Sequence, residues 1–197
     1  MIPTINIAAL FDADSRPGHA LAATDLAVFE AATTLGFMTI TGLPHQADID
    51  ASAKQTLTTL FNLSADEQRR LWKRNFEPDN PNLYRGWFPL HSGPTLSREG
   101  FEIGPDVIRS LPNPTEDVLL APPPWPSGTA LPHFRTVAGR YYAVMETIGA
   151  ALLASLSRGL GITPTLFRDA FTEGISTLRL LRYIPRYDLP ISDALKA

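Results

Sequence analysis

Cysteine is absent from all 197 residues of the chain. Its absence removes disulfide cross-links, thiolate zinc sites and cysteine nucleophiles together, so any metal held here would need histidine and carboxylate ligands. No stretch approaches the run of about 18 apolar residues that a membrane helix requires, so no membrane partner is expected. Basic excess is missing too. The chain has 17 Lys and Arg against 20 Asp and Glu, a formal charge of -3. With no Lys/Arg cluster and no alternation of aromatic and basic residues, nucleic acid is not an expected partner either. The opening MIPTINIAALFDAD carries no basic residue ahead of its apolar stretch and turns acidic at once. That is unlike a secretory signal or transit peptide, and a cytoplasmic protein is the expectation.

What is present reads as globular: 44% hydrophobic and 19% charged residues, enough for a core. The length suits one domain, or one small domain and part of a second, and the pattern along the chain favours the second. Thr4-Ile5-Asn6-Ile7 predicts a short strand, followed by an acidic loop through Gly18. An Ala-rich helix is expected from Ala20 to Leu35, with Leu26 and Phe29 on one face and Gly36 as a left-handed C-cap. Phe37 to Thr41 predicts a strand and Ile49 to Leu60 a second helix. Ser64-Ala65-Asp66-Glu67 then opens a third with a reciprocal capping box.

From Glu77 to Pro132 proline and glycine dominate, and Ala121-Pro122-Pro123-Pro124-Trp125-Pro126 cannot be helical. This stretch predicts loop with short strands such as Gly100 to Gly104. Val137, Tyr141, Val144, Ile148 and Leu152 then recur at helical spacing, predicting a long helix from Phe134 to Leu160 ended by Gly159 and Gly161. Thr163-Pro164 predicts the start of a short helix. Leu178 to Ile184 is a strong strand candidate stopped by Pro185, with no later strand to pair with it.

Seven segments in order carry a wider pattern. They are Ile2-Pro3-Thr4-Ile5-Asn6-Ile7; Leu35-Gly36-Phe37-Met38-Thr39-Ile40; Leu60-Phe61-Asn62-Leu63-Ser64; Asn82-Leu83-Tyr84-Arg85-Gly86-Trp87; Arg98-Glu99-Gly100-Phe101-Glu102-Ile103-Gly104; Trp125-Pro126 with Leu131-Pro132-His133-Phe134-Arg135; and Leu178-Arg179-Leu180-Leu181-Arg182-Tyr183-Ile184-Pro185. Together they resemble the isopenicillin N synthase-like group of 2-oxoglutarate/Fe(II)-dependent oxygenases. The resemblance implies an α+β chain, with an N-terminal helix/strand domain packed on an incomplete jelly-roll (double-stranded β-helix) core. On that basis residues 1-115 would be the non-haem dioxygenase N-terminal domain. Residues 116-197 would be the linker, the long central helix and the first strand of the oxygenase core.

The implied chemistry oxidises a small organic substrate with 2-oxoglutarate and dioxygen at Fe(II) held by a His-x-Asp pair and a distant His. Here the chain departs from the pattern. Its four histidines are followed two residues later by Leu21, Ala47, Gly93 and Arg135, so neither His-x-Asp nor His-x-Glu occurs. The family's triad, and its Arg-x-Ser for the cosubstrate carboxylate, belong downstream of Tyr183. The expectation is a fragment with no catalytic or metal residues of its own, binding no iron or 2-oxoglutarate alone and inactive without a missing C-terminal half. The competing expectation is a non-catalytic binding or interaction module that keeps the N-terminal fold.

Candidate substrate- or cosubstrate-binding residues are Tyr84, Arg85, Trp87, Arg182 and Tyr183. By the resemblance Tyr183 matches a tyrosine turned toward the cosubstrate, while Leu181 stands where plant relatives often carry an asparagine. Strand alternation puts Arg182 and Tyr183 on opposite faces, with Arg179 sharing the face of Leu181 and Tyr183. Against these readings, Tyr84 to Trp87 can be a packed turn with Arg85 paired to an acid, and a strand arginine is usually a surface group. His19, His45, His91 and His133 read as structural residues in loops or at helix starts, and Tyr141, Tyr142 and Met145 as core. An apolar strand at residues 178–184 left open along one edge would be sticky. The isolated chain is therefore expected to be marginally stable in its last third, and a cooperative, high-temperature melt of the purified protein would count against this.

Overall fold

A computed structural model describes residues 1–12, 18–92, 97–106, 119, 121–172 and 174–183. In chain order the elements are β1 (Thr4–Asn6), α1 (His19–Thr34), β2 (Thr39–Thr41), α2 (Ala51–Thr58), α3 (Ala65–Arg70), β3 (Gly86–Ser92), β4 (Ser97–Ile103), α4 (Phe134–Gly159), α5 (Thr165–Phe171) and β5 (Leu178–Tyr183). Strands and helices therefore both form, in two compact units that interleave along the sequence. Residues 1–57 and 133–176 make one, and residues 58–132 and 177–197 the other. The acidic loop at 13–17, most of the loop at 107–118, and the strand-ending Ile184 and Pro185 lie outside the described residues.

In the first unit β1 and β2 pair in parallel, with Ile5 opposite Ile40. Parallel neighbours need a crossover, and α1 supplies it. Ile5, Ile7, Val28, Ala31, Ile49, Val144 and Ile148 form the buried cluster, flanked by Met38, Ile40, Tyr141 and Leu152. Each large aliphatic side chain removed from water there contributes roughly 1.5–3 kcal/mol. Helix α1 ends as its sequence predicts. Gly36 takes φ +80°, and its amide reaches back to the Ala31 carbonyl at 3.0 Å.

The buried face of α1 presents Asp25, Val28 and Ala31, while Leu26 is turned outward. The reason is polar. Asp25 accepts hydrogen bonds from Ser155 Oγ at 2.7 Å and from Arg158 Nε and Nη2 at 2.6 and 2.7 Å, all from α4. A carboxylate matched by a planar guanidinium fork and a hydroxyl can be buried, and its position fixes the helix rotation. Two starts also shift. The α5 N-cap is Pro164 rather than Thr163. At α3, Ser64 Oγ accepts from the Glu67 amide at 3.3 Å, but the Glu67 carboxylate takes Arg70 at 2.9 Å instead of completing the reciprocal box.

The second unit holds a three-stranded antiparallel sheet in the order β3-β4-β5. Strand β3 falls in the stretch expected to be loop with short strands. Its Pro89 lies where the pairing register shifts between Phe88 and His91, an irregularity that tolerates a residue without an N–H. Along the other side of β3, the Trp87 amide donates to the Leu71 carbonyl at 2.6 Å and the Lys73 amide to the Trp87 carbonyl at 2.9 Å. Strand β5 pairs along one side with an earlier strand: Leu178 to Tyr183 stand opposite Ile103 to Arg98 of β4.

The Asp25 site sets an expectation for stability. Burial pushes its pKa up, but the Arg158 and Ser155 bonds and the guanidinium charge outweigh that and hold the pKa below the ordinary 3.8. A depressed folded-state pKa gives stability that is complete above the unfolded value and lost as pH falls through the folded one. Arg158→Met should therefore cost about 1–3 kcal/mol at neutral pH in urea denaturation. Its deficit relative to the unmodified chain should shrink as the pH is taken below the ordinary carboxylate value of 3.8.

Candidate functional site

The site candidates converge on the three-stranded sheet because β4 carries a buried carboxylate on each face. Glu99 and Glu102 are three residues apart, hence on opposite sides of the strand. Each stands opposite an arginine of β5, Glu99 against Arg182 and Glu102 against Arg179. A carboxylate withdrawn from water needs a cation and hydrogen bonds to hold it ionised.

On one face Arg182 Nε donates to Glu99 Oε1 at 2.5 Å, and its Nη1 donates to the Phe61 carbonyl at 3.0 Å. The guanidinium lies 5.3 Å from the Phe61 ring centre. Phe61 in turn meets Trp87 edge-on at 5.5 Å, and Trp87 meets Phe101 at 6.4 Å. These aromatic edges, with Trp87 fully enclosed, make this the packed side of the sheet. Arg182 and Trp87 are thus brought together through Phe61. Arg85 is only 1% exposed. Its Nη1 donates to the carbonyls of Leu119 at 2.6 Å and Ala121 at 3.0 Å, tying β3 to the proline-rich segment.

The opposite face is built differently. Glu102 is shared by two cations, Lys73 Nζ and Arg179 Nη2. The Phe88 ring lies between them, 5.7 Å from Lys73 and 5.8 Å from Arg179. Gly100 makes room for that ring, since a Cβ there would stand 2.3 Å from Phe88 Cζ and 2.6 Å from the Leu180 carbonyl. Tyr84 extends the group, 5.8 Å from Lys73 and 5.3 Å from Arg85. Tyr183 shares the face of Arg179 and Leu181 and is exposed, so it and Arg182 diverge as strand alternation demands.

Sequence reasoning put Arg179 on this face but assigned it no role, and it missed Lys73 and Glu102. Reading the cross-strand register of β4 and β5 would have found the Arg179–Glu102 pair. Lys73 enters from a separate segment with no local signal.

An iron centre does not fit the residues at hand. Among the described residues no group of three His, Asp or Glu side chains could hold a metal ion. His45 and His133 adopt left-handed backbone, at φ 46° and 65°, at the starts of a 3-10 turn and of α4. Histidine tolerates that conformation as a turn residue. Among the described residues no helix is long and apolar enough to cross a membrane.

Comparison with known proteins places this geometry. No family model matches the chain. It is 27% identical over 191 residues to a 2-oxoglutarate-dependent dioxygenase of Penicillium crustosum, covering 92% of this chain and 55% of the relative. It is 30% identical over 166 residues to a 2-oxoglutarate-Fe(II) type oxidoreductase of Aspergillus fumigatus, covering 81% and 47%. The chain thus spans about half the length of the curated relatives it matches. Among solved structures, a 2OG-Fe(II) oxygenase family protein of Caulobacter crescentus superposes with a TM-score of 0.73 at 18% identity, over 95% of this chain and 57% of that one. A Neurospora crassa protein solved in complex with alpha-KG gives 0.72 at 21%, over 92% and 54%. At these identities the superpositions establish a shared fold.

Glu102→Gln would leave Lys73 and Arg179 facing each other without their shared anion. It should lower stability by about 1–3 kcal/mol in denaturant titration, with part of the loss recovered at high salt as the like charges are screened.

Proposed function

The chain is related by sequence and fold to the 2-oxoglutarate/Fe(II)-dependent oxygenases, and from that premise we propose that it is the N-terminal part of an enzyme oxidising a small organic substrate with 2-oxoglutarate and dioxygen at non-haem iron. In this reading residues 1-115 are the N-terminal domain, and residues 116-197 begin a jelly-roll core. The protein is cytoplasmic, and the iron ligands come from outside this sequence. The observation that carries the reading is the run of similarity itself, which covers 92% of the chain against one dioxygenase and 81% against another.

Iron supplies oxygen activation when held by a complete ligand set. The described residues of this chain do not provide that set, so no step through the metal is assigned to them. Their part is to build one wall of a substrate chamber. Tyr183 and Tyr84 offer aromatic surface and hydroxyls on the exposed side of the sheet. Trp87, Arg85 and Arg182 hold that sheet rigid from its packed side and from the proline-rich segment.

The test is 2-oxoglutarate-dependent succinate formation. The 197-residue chain with Fe(II), 2-oxoglutarate and dioxygen should give no succinate above the protein-free blank. The same chain mixed with, or fused to, an oxygenase C-terminal half bearing His-x-Asp and a distant His should form it. Turnover by the chain alone would overturn its assignment as a partner in need of ligands. Silence from every complemented form would overturn the oxygenase reading in favour of a binding module.

A further inference from the structure

The two faces of the β3-β4-β5 sheet differ in charge balance. On the packed face Glu99 and Arg182 match one to one. On the other face the strand alternation of β4 places Arg98 beside Gly100 and Glu102, directly opposite Tyr183. With Lys73 and Arg179 already gathered on Glu102, these described residues bring three cations and one acid to that face.

The cations are not equally placed. The Glu102 side chain is 7% exposed and that of Lys73 17%, whereas Arg179 keeps 51% of its side chain open. Its Nη2 is the nitrogen that meets Glu102, and half of the side chain remains open to solvent. Around it lie apolar surfaces that are also open, Tyr183 at 58% and Leu181 at 38%, and the Phe88 ring beneath.

From this juxtaposition we infer that the face binds a small organic anion, a carboxylate on a planar apolar body, with Arg179 gripping the carboxylate. The inference rests on the oxygenase reading and deepens it by naming the substrate class. A guanidinium with a free edge can take a carboxylate by two parallel hydrogen bonds. Phe88 and Tyr183 supply flat surfaces against which an aromatic or conjugated body can lie. A layer of protein over this face would have to bury the cation surplus or bring its own acid, whereas a carboxylate ligand neutralises it on arrival.

The experiment titrates the full chain with benzoate, with neutral benzyl alcohol of the same shape, and with 2-oxoglutarate. Backbone amide shifts at Gly100, Leu181 and Tyr183 provide the readout. Benzoate should move these amides with an affinity about tenfold above that of benzyl alcohol, and Arg179→Gln should remove about that factor. If Arg179→Gln fails to fold, Arg98→Gln takes its place: it lies on the same face but outside the Glu102 pair, and it should weaken benzoate severalfold without affecting benzyl alcohol.

Equal binding of benzoate and benzyl alcohol, or benzoate affinity unchanged in whichever variant folds, would overturn the inference. So would 2-oxoglutarate displacing benzoate from these amides with the tighter affinity, which would assign the face to the cosubstrate. Benzoate binding with no succinate from any complemented form would fault the oxygenase reading alone. Succinate formation without benzoate binding would fault this inference alone.

Discussion

The sheet depends on how two buried carboxylates in its middle strand are neutralised. Glu99 and Glu102 sit three apart in β4, and Arg182 and Arg179 sit three apart in β5, so the antiparallel pairing aligns both couples at once. A slip of one residue would carry each acid to the face where its arginine is not, leaving two charges buried without partners. Hydrophobic alternation alone does not specify this register strongly, because β5 is apolar on both faces: Leu178 and Leu180 on one, Leu181 and Tyr183 on the other. The charge pairs settle it. Their setting decides that Tyr183 and Arg179 share the open face while Arg182 joins Phe61 and Trp87 on the packed one.

What was legible in the sequence follows from how local each determinant is. Helix α4 could be read because its apolar residues repeat over 26 positions, and the end of α1 because a left-handed C-cap nearly demands Gly36. Strand β5 could be read from its apolar run. Strand β3 could not, because Pro89 argues against a strand until the irregularity that admits it is seen. The rotation of α1 was not legible for a different reason. Ranking side chains by hydrophobicity buries Leu26, yet the buried residue is Asp25, whose partners Ser155 and Arg158 lie 130 and 133 residues away. The site was legible to the same degree. Arg179 and Tyr183 could be assigned to one strand face, but the meeting of Lys73 with Glu102 is a tertiary event that no local pattern announces.

The two buried-charge systems of the chain show how a structural ion pair differs from a recognition element. Around Asp25 every group is matched: two guanidinium nitrogens and a hydroxyl converge on one carboxylate within a helix interface. Such an arrangement holds two helices together and leaves nothing to offer a ligand. Around Glu102 the matching is incomplete. Two cations share one carboxylate, one of them half-open, and a third, Arg98, stands on the same face four residues away along β4. Excess charge at an exposed aromatic surface destabilises a lone fold slightly, and that strain is relieved by an anion of the right shape.

This bears on how the work of an oxygenase is divided along its chain. Oxygen activation requires a particular set of metal ligands, which the described residues of this chain do not contain. Substrate choice requires only surfaces of the right charge and shape. The chain spans about half the length of the curated oxygenases it is similar to, and in such an enzyme the metal is the first place to look for specificity. The sheet argues for the reverse order. Residues that hold no metal can still carry the feature that sorts acidic from neutral substrates, because a half-open arginine braced by a buried carboxylate is oriented by the protein itself.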